Sequence, residues 1–193
     1  MLKKSLGLIQ ITASLLLVSI LSSGCAGMNK SLLSSDPVIS ESTRIHKTIS
    51  ELHLEFNDLV EGFVLANDVV CLKKIPHVIS EAKLYVERAR KLHELQRYYP
   101  EGISYHRWKH TGDNVEMGNR RLFEMMMQYA DVQMTYSDKT DALLTYREII
   151  STFGDKKYDR YQILAQLRLD EIENRSQAIR AASLHQPEAV LRP

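Results

Sequence analysis

The chain is poor in the residues that usually announce a chemistry. Two cysteines among 193 residues cannot build a disulfide framework. Eight glycines and five prolines are few for a chain of many turns, which argues against an all-β fold. Neither sign of charge dominates: 25 Lys and Arg face 24 Asp and Glu, so there is no basic field for nucleic acid and no acidic tail. The sequence has no Cys-x-x-Cys-His site for covalent haem, no Gly-x-Ser-x-Gly elbow, no phosphate loop and no Gly-rich nucleotide turn. With 44% hydrophobic and 25% charged residues, wholesale disorder is excluded as well.

The amino terminus is what stands out. Lys3 and Lys4 precede a charge-free, mostly apolar run from Leu6 to Leu21, the layout of a signal peptide. The run passes into Leu21-Ser22-Ser23-Gly24-Cys25-Ala26-Gly27. This segment resembles the lipobox of bacterial lipoproteins, departing from the commonest pattern in that Leu21 lies one place further from the cysteine. The resemblance implies cleavage before Cys25, diacylation of its thiol and acylation of the new amino group; the covalent lipid is the only attached group expected. Ala26 after the cysteine resembles the outer-membrane sorting choice, with the protein facing the periplasm. The competing interpretation is an uncleaved membrane anchor, for which the run is slightly short of the roughly 20 apolar residues that span a bilayer. Without residues 1–24 the chain loses Lys3 and Lys4 from its 25 basic residues, leaving 23 against 24 acidic and a net charge of −1.

From Cys25 to Arg44 the sequence is rich in Ser and lacks periodicity, and is expected to be a flexible tether. Beyond it, residues 45–185 are expected to form an all-α domain of antiparallel helical hairpins, with a frayed tail over 186–193. Ile45, Ile49, Leu52, Phe56, Leu59, Phe63, Ala66 and Val70 recur in steps of three and four, which predicts one long helix from about Glu41 to Lys73. A turn at Pro76 and a second helix from His77 to about Arg97 follow. Tyr99–Gly112 is expected to be the one long irregular stretch. Further helices are predicted over about Asp113–Tyr136, Thr140–Phe153 and Lys157–Ser183, the last with Tyr161, Leu164, Leu167, Ile172 and Ile179 on its inner stripe.

The short connection Ser137-Asp138-Lys139 joins two of these helices, and the residues around it resemble a tetratricopeptide repeat. In that register Ala130 and Ala142 take the small positions of the paired helices, Tyr146 the aromatic position and Tyr129 a large apolar one. Gln133, Ile149 and Gly154 depart from the usual residues. A second match, with Ala82, Val86 and Ala89, begins 60 residues earlier rather than 34, so the array is irregular and an unrelated helical bundle is the alternative. The resemblance implies a scaffold that binds another protein.

Tyr105-His106-Arg107-Trp108-Lys109-His110 is the most unusual stretch and holds the only tryptophan. Tyr105, Arg107, Trp108 and Lys109 are candidates for contact with a partner or with lipid headgroups, where Trp and Tyr favour the interface. On one helical turn His106 and His110 share a face, the spacing of two metal ligands, but no third ligand is evident. Loop anchoring is the plain alternative. Met125-Met126-Met127 reads as core filling, Cys71 as a buried thiol, and His46, His53, His77, His93 and His185 as a solvated helix face. The function that fits best is a non-catalytic, lipid-anchored envelope scaffold with an envelope protein as partner and no nucleic acid. The alternatives are an enzymatic or metal-binding envelope protein using His106 and His110, or a membrane-surface module using Trp108.

Overall fold

The computed structural model describes residues 36–96, 103–137 and 139–184; of 103–104 and 178–184 it describes the backbone alone. The described residues form α1 (Pro37–Ala66), α2 (Val69–Gln96), α3 (Ile103–Tyr136), α4 (Lys139–Thr152) and α5 (Asp159–Leu184), with a 3-10 turn at Lys156–Tyr158 before α5. No strand occurs among them, so the fold is all-α. The signal segment, Cys25 and the tail from 186 lie outside the described residues.

Helix α1 starts inside the stretch expected to be tether. Asp36 is its N-cap: the backbone there is extended, and the carboxylate accepts from the amides of Val38 at 2.9 Å and Ile39 at 3.3 Å. Pro37 follows at the first helical position, where its missing N–H costs nothing. The Ser-rich composition hid this start because the hydroxyls find partners inside the fold: Thr43 donates to the Ile39 carbonyl, and Ser42 accepts from Asn114. Ile45, Ile49, Leu52, Phe56, Val60 and Phe63 are buried along α1, whereas Ala66 and Val70 are exposed.

The first turn is not at Pro76. Helix α1 ends at Asn67, whose φ of 51° is left-handed, and Asp68 accepts from the Val70 amide to open α2. Pro76 lies within α2 on its exposed side, where water can satisfy the carbonyl left without a donor. Cys71 is half-buried rather than buried; its thiol donates to Asp68 at 3.4 Å and packs over Gly62. Desolvation first, then the Asp68 carboxylate, holds that thiol above its ordinary pKa.

Helices α1, α2 and α3 pack against one another, α4 packs on α3, and α5 packs on α4. Gly118 is what lets α3 come close: a Cβ there would lie 3.1 Å from Ile49 Cδ1 and 3.5 Å from Val86 Cγ2. Met125 and Met126 are wholly buried beside Leu122, and Met127 packs on the same core. Helix α3 begins at Ile103, so most of the stretch expected to be irregular is helical; Gly112 does not interrupt it.

The α4–α5 elbow is held by aromatic rings. Phe123 of α3 stacks on Tyr161 at 4.3 Å, and Phe153 meets Phe123, Tyr158 and Tyr161 edge-on. Gln162 donates to the Phe153 carbonyl at 2.6 Å, satisfying an orphan acceptor at the end of α4. Among the described side chains of α5, Ala165, Leu169 and Ile172 are buried, while Leu164 and Leu167 are 40% and 60% exposed; Ile179 lies outside the described side chains. Of the expected inner stripe, Tyr161 and Ile172 do face the core, while Leu164 and Leu167 give way to Ala165 and Leu169, four and eight positions after Tyr161.

Candidate functional site

Three features of the surface are built by several elements each. The first is the end of the bundle where α1 begins and α3 enters. Arg107 donates to Asp36 at 2.6 Å, tying the first turns of α3 to the first turn of α1. Burial works to raise the Asp36 carboxyl, but the Arg107 hydrogen bond and the Ile39 and Val38 amides outweigh it and hold it below its ordinary pKa. One turn apart on α3, Tyr105 and Trp108 stack with ring centroids 6.3 Å apart and stay 52% and 42% exposed. His93 of α2 lies against the indole at 5.6 Å, and its Nδ1 is 2.9 Å from the Thr111 hydroxyl. Gly112 leaves room for that imidazole, since a Cβ there would meet its Cε1 at 3.0 Å. Lys109 is exposed beside the rings.

His106 and His110 do share a helical turn, but they are engaged separately. His106 is exposed, edge-on to Tyr105 at 6.0 Å. His110 turns into the α1–α3 seam, where its Nε2 lies 3.2 Å from both the Thr43 hydroxyl and the Asn114 amide. Asn114 also donates to Ser42. Among the described residues no group of three His, Cys, Asp or Glu side chains could hold a metal ion.

The other histidines are not uniformly solvated. His77 is exposed, 3.5 Å from Glu81, but His46, His53 and His93 are half-buried, and His185 lies outside the described residues. His46 Nδ1 is buried without a hydrogen-bond partner. Burial first, then the Arg121 charge and the neighbouring His110, press its pKa below the ordinary 6.5. Burial does the same at His53, where Glu124 works in the opposite direction and Arg121 adds to the lowering.

The second feature is an open groove of about 430 Å³ between α3, α4 and α5. Tyr146 forms its floor: the ring is buried and the hydroxyl donates to Asp131 at 2.6 Å. Burial, then that carboxylate, pushes the phenol well above its ordinary pKa, so it remains a donor at any physiological pH. Thr145 donates to Gln133 at 2.7 Å across the same pair of helices, which satisfies two polar groups in a buried position. Ala130 and Ala142 are wholly buried and Tyr129 is half-buried. At the rim, Glu171 is bound by Arg168 at 3.2 Å and Arg175 at 2.6 Å, and Lys139 adds a third cation. Met134 and Ile172 supply apolar lining.

The third feature is a hollow of about 490 Å³ where α2 and α3 meet the elbow. Arg90 donates to Asn119, which donates to the Tyr158 hydroxyl at 2.8 Å, and the guanidinium sits 5.7 Å from the Tyr158 ring centroid. Arg90, Asn119, Arg168, Glu171 and Arg175 gave no sequence signal, because an isolated polar residue on a helix looks the same whether it faces a groove or open water.

The groove thus combines the Tyr146 ring, Met134 and Ile172 with a rim that carries charges of both signs. The chain matches no known family, no curated protein and no solved structure.

Proposed function

We propose that the protein is a bacterial lipoprotein, acylated on Cys25 and held at the outer membrane facing the periplasm, whose tetratricopeptide-like hairpins bind another envelope protein without catalysing a reaction. The groove between α3, α4 and α5 carries this proposal. It joins three helices, its floor is fixed by the Tyr146–Asp131 hydrogen bond, and its rim offers Lys139, Arg168 and Arg175 against Asp131 and Glu171. Those rim cations favour a partner segment with carboxylates. The lipobox-like segment ending in Cys25 supplies the address.

A photoreactive amino acid at Thr135, on the groove, and another at Lys47, on the outer face of α1, test this in intact cells. A discrete adduct from Thr135 and none from Lys47 is expected; no adduct from the groove position overturns the scaffold proposal. Cys25→Ala, or inhibition of the lipoprotein signal peptidase, is expected to leave unprocessed precursor. Normal processing in both cases overturns the lipid anchor.

A further inference from the structure

The Tyr105–Trp108 end is also the end at which the chain leaves toward Cys25. Asp36 comes eleven residues after that cysteine, so even fully stretched this piece reaches about 40 Å. The Arg107–Asp36 ion pair fixes its exit one residue from Trp108 along α3. By contrast the far tip of the bundle, the Asn67 turn, is separated from Asp36 by the 30 residues of α1, which at 1.5 Å each is about 45 Å.

The two ends differ in side chains as well as in distance. At the near end Tyr105 and Trp108 leave their rings stacked and half in water, Lys109 lies beside them, and Leu95 in the last turn of α2 is 63% exposed. Apolar rings with a polar edge, flanked by a lysine, are the composition that settles at the junction of headgroups and acyl chains. At the far tip the exposed apolar side chains are Val64, Leu65, Val69 and Val70 with a single ring, Tyr136, edge-on to Phe63 at 5.2 Å; no stacked pair and no tryptophan lies there. We infer that Tyr105, Trp108 and Leu95 rest in the headgroup region of the membrane that holds the Cys25 acyl chains, standing the bundle with α1 pointing away from the lipid. This inference rests on the acylation proposed above.

Tethering makes the contact nearly intramolecular. With the bilayer always within reach of the anchored end, side chains too few to bind a membrane alone suffice to set the orientation. The rings, rather than a basic field, do the holding, so the contact is expected to persist at high salt.

Trp108 is the only tryptophan, so its emission reports this site alone. The full-length acylated protein is reconstituted in vesicles of phosphatidylethanolamine and phosphatidylglycerol, with and without lipids brominated high on the acyl chain. Expected are a blue shift of Trp108 emission and its quenching by the brominated lipid. A second protein, Trp108→Phe with Val70→Trp, moves the reporter to the far tip and is expected to show neither. Tyr105→Gln with Leu95→Gln, both at exposed positions, should lessen the Trp108 quenching with the helical circular dichroism unchanged. If the acylated protein floats with the vesicles while Trp108 stays unquenched, or if the far-tip reporter is the quenched one, the orientation is wrong although the anchor stands. Cys25 found unmodified by mass spectrometry removes the anchor and the inference together. Emission that shifts only on adding an envelope protein overturns the inference in favour of a protein contact.

Discussion

Helices α1 to α3 and the α4–α5 hairpin are built on different terms. Helix α1 touches both α2 and α3, and its apolar stripe is covered along almost its whole length. Helix α5 packs on α4 and lays Tyr161 on Phe123 of α3, but Ile163, Leu164 and Leu167 face outward. The first region is held by close helix approach, of which Gly118 is the sign; the second hangs on four aromatic rings at one elbow. A helix with two neighbours has one solution to its register, whereas a helix with one neighbour depends on where a single anchor sets it.

The largest effect is expected from removing that anchor. Phe153→Ala should cost about 3–5 kcal/mol in denaturant unfolding, the range for deleting a wholly buried phenylalanine. Hydrogen exchange should show α4 and α5 losing protection first. Equal loss across α1 to α3 would mean that the two regions are a single cooperative unit.

Next comes the close approach itself. Ile49→Val removes the methyl that a Cβ on residue 118 would meet, so Gly118→Ala should be better tolerated in that background than in the native chain. A double-mutant cycle should give a coupling of about 0.5–3 kcal/mol, as for side chains in contact. Strict additivity would show that α1 and α3 adjust freely at this point.

The half-buried histidines of α1 and the tyrosines of the elbow should also respond to opposite ends of the pH scale. His46 and His53, in α1, have pKa values pressed below the ordinary 6.5, so the stability they confer is present above that value. It falls as the pH drops from 6.5 toward their folded values and the unfolded chain takes up protons. Tyr146, Tyr158 and Tyr161 are raised above the ordinary 10, chiefly by burial, so their contribution is present below pH 10 and falls as the pH rises beyond it. Denaturation midpoints measured across pH, with His46→Gln flattening the acid limb and Tyr161→Phe the alkaline one, check both signs.

The smallest effect concerns the outer stripe of α5. Ile163→Gln and Leu167→Gln should change stability by no more than about 0.5 kcal/mol, as at other exposed positions. A larger loss would show that the stripe is covered, and a concentration-dependent loss would point to a second copy of the chain.

The same contrast governs how much the sequence disclosed. The stripe of α1 was legible because Ile45, Ile49, Leu52, Phe56 and Phe63 recur unbroken on one face, which Leu54, Val64 and Leu65 are too scattered to rival. The stripe of α5 was legible only in part: Tyr161 and Ile172 face inward as expected, but Leu164 and Leu167 compete with Ala165 and Leu169, and only the ring contact with Phe123 decides between them. Boundaries suffered where punctuation is ambiguous. Pro76 looked like a turn and is absorbed by α2, while Asn67, a residue tolerant of left-handed backbone, is the real hinge. Of the surface features, the Tyr105–Trp108 pair was visible as unusual composition. The groove was half visible, through Tyr146 but not through Arg168, Glu171 or Arg175, because residues that meet only in space leave no mark on local spacing.

The Asp36–Arg107 pair has a mechanical side. It joins residues 71 apart in sequence at the point where the chain enters the bundle. A pull on the chain ahead of Asp36 is thus shared at once between α1 and α3 and loads their seam along its length. Without the clamp the same force would peel α1 away one turn at a time, which takes far less work per step than sliding two packed helices past each other. A load arriving along the chain therefore meets two helices at its point of entry rather than one.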